Sequence, residues 1–194
     1  MKTRVKAFFV GGVIVGAFAV VSPAFAMWDK LDFFVGGNVG FFSVDDPDGE
    51  TASEVSTGVF AGTYYQLSRN SYLKSELFYT GVSPDGSATE IGQDYKAWGL
   101  INEYQYQWVY SRQIRPRFGI GGSVFMANAT KRYIEDGYGY LGKRFPDDDG
   151  VKFGVVVSIE NDIELWGQAF VVGLRYQQGI SSMSVAGFNV SYKF

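Results

Sequence analysis

From Phe33 to the end of the chain, apolar and polar positions alternate in short runs of period two, and apolar residues at three-four spacing are almost absent. Successive side chains of an extended strand point to opposite faces, so these runs predict strands and not helices. The last run is the clearest. Over residues 184–194, Ala186, Phe188, Val190, Tyr192 and Phe194 share one face, and Gly187, Asn189, Ser191 and Lys193 share the other. Over 33–41, Phe33, Val35, Val39 and Phe41 oppose Phe34, Gly36, Asn38 and Gly40. Over 54–67, Val55, Val59, Tyr65 and Leu67 oppose Glu54, Ser56, Phe60, Gly62, Tyr64 and Gln66. Residues 72–81 set Leu73, Leu77 and Tyr79 against Lys74 and Glu76. The pattern returns over 98–108, 114–126, 151–160 and 166–176, with Asn102 and Gln168 standing on the apolar side as exceptions. The chain is predicted to be all-β, with eight strands.

The links between these runs alternate in length. Those at 68–71, 109–113 and 161–163 are short, and those at 44–53, 82–94, 128–150 and 177–182 are mostly longer. Tight turns at one end and loops at the other predict a closed antiparallel up-and-down barrel. Ten strands is the alternative count, because part of 128–150 alternates weakly.

Which face meets solvent decides between a soluble and a transmembrane β-barrel. The polar face mixes charges with many glycines, a poor surface for an exposed strand. The apolar face carries Trp98, Trp108, Trp166 and most of the Phe and Tyr residues. Eight strands enclose just enough space for side chains to fill, so these aromatics are expected outside, in lipid. Trp28, Trp108, Tyr110, Trp166, Tyr192 and Phe194 fall near turns or chain ends, where an interfacial girdle sits. A soluble, lipocalin-like ligand carrier is the competing reading and requires the polar face in water.

The amino terminus adds an export signal. Lys2, Arg4 and Lys6 precede an apolar run from Ala7 to Val21, and Ala24-Phe25-Ala26 supplies a small-x-small cleavage site. Residues 1–26 are read as a cleaved signal peptide and 27–194 as the barrel domain; the run falls short of the roughly 20 residues of a spanning helix. Three of the 17 basic residues lie in that signal, so 14 remain against 20 acidic ones and the barrel domain sits near −6. That charge argues against a nucleic-acid partner. Cysteine and histidine are both absent, which excludes a disulfide framework, a lipid-modified amino-terminal Cys, a His-dependent triad and a His-containing zinc site. No catalytic, cofactor-binding or metal-binding residue is assigned, and no cofactor is expected.

The terminal Phe188-x-Val190-x-Tyr192-x-Phe194 resembles the assembly signal of Gram-negative outer-membrane barrels, and the chain after the signal resembles their small OmpA-transmembrane-domain and OmpX-like class. The resemblance implies outer-membrane location, insertion by the barrel assembly machinery through the Phe194 terminus, and contact with outer-membrane lipid and lipopolysaccharide. An even strand number places both termini in the periplasm. The inward face then carries Glu54, Lys74, Glu76, Glu103, Arg115, Arg117, Lys152, Glu160, Arg175 and Lys193, mixed in sign and suited to a network of ion pairs. The acidic runs Asp45-Asp46-Pro47-Asp48-Gly49-Glu50 and Asp147-Asp148-Asp149-Gly150 read as solvated turns, since neither has EF-hand spacing. Loop 128–150, with Tyr133, Tyr138, Tyr140 and Phe145, is the expected contact surface for an external ligand. The expected role is structural or surface interaction without a wide pore and without enzymatic activity. The alternatives are a lipid-modifying enzyme with a site lacking His, and a narrow ion channel.

Overall fold

Eight antiparallel strands close into one barrel in chain order, β1 (Leu31–Asp45), β2 (Thr51–Ser68), β3 (Ser71–Val82), β4 (Gln93–Gln107), β5 (Arg117–Lys131), β6 (Gly150–Leu165), β7 (Gln168–Gly179) and β8 (Met183–Lys193). The computed structural model describes residues 30–45, 51–82, 93–111, 114–131, 150–179 and 183–194. The signal-peptide reading of 1–26, Trp28, and most of the acidic and aromatic loop residues lie outside the described residues. The ten-strand alternative is excluded by the wall itself. β5 pairs directly with β6 from Arg117↔Glu160 to Ala127↔Gly150, which leaves no gap for an inserted hairpin.

The seam is closed by β8 lying against β1, from Phe34↔Lys193 to Val44↔Met183. The last residue extends that pairing, since Phe33 and Phe194 exchange backbone hydrogen bonds of 3.2 and 3.0 Å. Their rings stack at 6.2 Å, and the row continues through Tyr192 to Phe170. Together with exposed Trp108, Tyr110 and Trp166, these rings encircle the end where the short turns lie.

Several boundaries differ from the sequence reading. The link expected at 109–113 spans 108–116, because Pro116 has no N–H for the ladder and the strand resumes only at Arg117. That segment still holds its own bonds, with Trp108 N donating to Pro116 O at 2.8 Å and Ser111 N to Ile114 O at 3.1 Å. The turn expected at 161–163 is strand, and the chain reverses instead at Trp166-Gly167, where φ is 53° and 73°. Two successive positive φ angles match the twist that a two-residue hairpin needs. The link after β7 shrinks to 180–182.

Alternation fixes the faces as expected. Val59, Leu77, Trp98, Ile120, Val157, Leu174 and Phe188 are exposed on the outer wall, while Lys74, Glu76, Glu103, Arg117, Glu160 and Arg175 are buried inside. The barrel is therefore inverted with respect to a soluble one, and the soluble-carrier reading fails on this arrangement. Most of the aromatics lie outside, as expected, but several do not. Phe34, Phe42, Phe60, Tyr64, Tyr95 and Phe125 are buried in the lumen. Glycines on the neighbouring strand leave space for two of them: a Cβ on Gly62 of β2 would lie 2.7 Å from the tip of the Phe34 ring of β1, and one on Gly36 of β1 equally close to that of Phe60 of β2.

Candidate functional site

The lumen has two layers of different chemistry. Toward the loop end, Phe42, Val82, Tyr95, Ala97, Phe125, Ala127 and Met183 form an apolar cluster, joined by Phe78 and Val185. This layer was missed in the sequence because each member is a single apolar residue at an otherwise polar parity. Below it, toward the turns, lies the charged layer.

Glu160 on β6 is the centre of the charged layer. It accepts hydrogen bonds from Lys74 Nζ on β3 at 2.6 Å, Tyr64 OH on β2 at 2.8 Å and Gln105 Nε2 on β4 at 3.1 Å, and Arg117 Nη2 on β5 lies 3.8 Å away. Lys74 also stands 3.1 Å from Glu76 Oε2. Arg175 on β7 donates to Glu76 Oε1 and, at 3.2 Å, to Asn189 Oδ1 on β8. Arg117 pairs with Asp162, its Nη1 donating to Oδ2 at 3.0 Å while Nη2 lies 2.8 Å from Oδ1. Glu103 is held without an ion pair among the described residues: Ser158 Oγ donates to it at 2.6 Å and Gln105 Nε2 at 3.2 Å. Strands β2 and β3 thus reach β6 and β7 straight across the lumen.

Buried ions need partners, because an uncompensated one carries several kcal/mol of desolvation cost. Here three buried cations face three buried carboxylates, with half-buried Asp162 as a further acid. Aromatic faces supply the rest of the cations' surroundings. Lys74 Nζ lies 5.3 Å from the Phe34 ring centre, Arg117 sits 4.5 Å over Tyr64, and Arg175 sits 5.3 Å over Phe60.

Of the ten inward charges expected from the sequence, six meet in this layer: Lys74, Glu76, Glu103, Arg117, Glu160 and Arg175. Glu54 is exposed near the loop end of β2, and Lys152 is half-buried near that of β6. Lys193 pairs with Asp32 at 2.7 Å at the turn-end rim. Arg115 is a correction, since it precedes the strand and is exposed, and its backbone is what is engaged: the N–H donates to Asn161 Oδ1 at 2.9 Å and the carbonyl accepts from Gln107 Nε2 at 3.5 Å. Pro116 is again the reason. Asp162, Tyr64, Gln105 and Asn189 belong to the network and were not singled out; Asp162 looked like a turn residue, and the others are uncharged.

What space remains is small. A cavity of about 30 Å³ between Phe42, Phe78, Phe125, Met183 and Arg175 has room for one or two waters. Among the described residues no group of His, Cys, Asp or Glu is arranged to hold a metal ion.

An apolar outer wall, a charged interior and a sheet without edges satisfy the conditions for spanning hydrocarbon with strands. The same architecture is found in solved proteins. The chain is similar to neisserial surface protein A, at 15% identity over 83% of this chain and 95% of that one, with a TM-score of 0.52. It is similar also to Ail, the attachment invasion locus protein of Yersinia pestis, at 11% identity over 84% of this chain and 97% of that one, TM-score 0.52. The fold is that of a small eight-stranded outer-membrane barrel. The structure of Ail with the heparin analogue sucrose octasulfate matches equally, at 12% identity, 84% and 97% coverage and TM-score 0.51. No family model matches the chain. No curated protein matches it in sequence either.

Proposed function

We propose that this protein is a sealed barrel of the bacterial outer membrane that serves the envelope structurally and offers its loops to the outside. The observation that carries this reading is the lumen crossed from wall to wall by Tyr64–Glu160, Lys74–Glu160 and Arg175–Glu76. Barrels of eight strands have little room for water, and these contacts occupy the room there is. In this reading residues 1–26 are removed on export, both termini face the periplasm, and the loops between β1 and β2, β3 and β4, and β5 and β6 face outward beside lipopolysaccharide. Phe194, which completes the β1–β8 seam, is the residue offered to the assembly machinery.

The external contact surface is loop 128–150. Ail was solved with a polysulfated sugar; here the acidic runs 45–50 and 147–149 oppose such a ligand, and the folded protein is expected to pass a heparin column unretained. We assign no catalysis. The sequence has no His, and the three buried carboxylates are engaged with Lys74, Arg175, Ser158 and Gln105.

Two readouts test the proposal on membranes of expressing cells. A gel shift between boiled and unboiled samples is expected in the membrane fraction, weakened by Phe194→Ala. Purified protein in planar bilayers is expected to show no steady conductance. A soluble protein without the shift overturns the membrane reading, and a regular single-channel conductance replaces the sealed barrel by the narrow ion channel.

A further inference from the structure

The outer wall has a polar break. On β4 the outward side chains run Lys96, Trp98, Leu100, Asn102, Tyr104 and Tyr106, with Trp108 just past its end, so Asn102 stands between two tryptophans in the middle part of the apolar wall. Its neighbours in register are Ser75 on β3 and Gly122 on β5, and Ser75 is paired in turn with Thr63 on β2. Thr63, Ser75, Asn102 and Gly122 thus form one row across four adjacent strands. Elsewhere the middle of the wall is apolar, with Val155 and Val157 on β6, Val172 and Leu174 on β7, Phe188 and Val190 on β8, and Val35 and Val39 on β1.

Within the row, Ser75 Oγ donates to Asn102 Oδ1 at 2.7 Å. The Asn102 amide nitrogen has no acceptor among the described residues. Acyl chains provide none, so a primary amide left in that position loses its hydrogen bonds to water without replacement. Gly122 adds a shallow notch beside it, where an added Cβ would meet only Gly154 O at 3.7 Å.

We propose that this row is an intramembrane contact with a second copy of the same chain. An amide carries both a donor and an acceptor, so across a two-fold axis the row is complementary to itself: Asn102 Nδ2 of each copy donates to the Asn102 or Ser75 oxygen of the other. Small side chains at Thr63, Ser75 and Gly122 let the two walls approach closely enough for those bonds, as small residues do at contacts between transmembrane segments. The contact leaves the lumen and the loops of both copies free.

The inference rests on the membrane reading, and the absence of cysteine from the chain makes its test direct. Single variants Thr63→Cys, on the row, and Val172→Cys, on the opposite wall, are placed in liposomes and oxidised. A disulfide-linked dimer is expected from Thr63→Cys and not from Val172→Cys. Adding Asn102→Leu to Thr63→Cys is expected to lower the dimer yield about fivefold, the scale of one or two membrane hydrogen bonds, while the boiling-dependent gel shift persists in every variant. Equal crosslinking from both positions, no crosslinking from either, or a yield indifferent to Asn102→Leu overturns the proposal. Loss of the gel shift in the parent protein would instead signal failure of the barrel reading.

Discussion

Glu160 accepts from three side chains contributed by three strands, with an arginine of a fourth nearby, so its charge is the one that the lumen depends on most. Glu160→Gln keeps the shape and removes the charge, leaving Lys74 with Glu76 alone and Arg117 with Asp162 alone. A loss of about 3–5 kcal/mol is expected for breaking a buried pair on one side, read from urea unfolding in detergent or bilayer by tryptophan fluorescence. Lys74→Met combined with Glu160→Gln is expected to be less destabilised than Glu160→Gln alone. Both members of the pair are then gone, while Glu76 retains Arg175 and Arg117 retains Asp162. A purely additive double variant would show that the pair is not coupled. Gly62 is a second sensitive residue. Gly62→Ala sets a methyl group against the Phe34 ring and the Ser75 carbonyl, and a loss of about 1–3 kcal/mol is expected, as for other overpacked positions.

The hairpins divide into those that the strand pattern ends cleanly and those decided by one residue. The β6–β7 reversal rests on Trp166 and Gly167, both at positive φ. Gly167→Ala puts a Cβ into a left-handed conformation at a cost of about 1–2 kcal/mol, expected as faster amide exchange confined to Ile163–Phe170 and its neighbouring pairs. Exchange that rises uniformly around the barrel would argue against a local effect. Trp166 accepts the same strain, and its 91% exposure at the turn end, beside the other rings of the girdle, is the compensating role that interfacial lipid gives to tryptophan. The β4–β5 link shows the opposite case, where Pro116 delays a strand and moves Arg115 out of the lumen.

For the molecule as a whole, stability comes from facing the correct solvent on each side. Leu100→Arg puts a charge in the middle of the lipid-facing wall, and about 2–4 kcal/mol of destabilisation is expected. Leu165→Arg, beside the Trp166 turn, is expected to cost about 0–1 kcal/mol. Equal costs at the two positions, measured by equilibrium unfolding in bilayers, would contradict the assignment of the membrane band. The sealed lumen and the polar row on β2–β5 make distinct claims about this molecule: the first concerns passage through one barrel, the second the meeting of two.

Strand number, strand order and the identity of the lipid-facing wall were legible in the sequence, because the two-residue period is local and each run declares its own faces. So were the six charges that fill the lumen, by parity alone. Tertiary structure decided which of them meet. Tyr64 and Glu160 are 96 residues apart and join only because closure and strand stagger bring β2 and β6 face to face at one height. The same geometry gathered Phe42, Tyr95, Phe125 and Met183 into an apolar layer, and Thr63, Ser75, Asn102 and Gly122 into a row. A strand's own sequence encodes the direction in which a side chain points. Its depth relative to side chains on other strands depends on register, and register exists only once the barrel has closed.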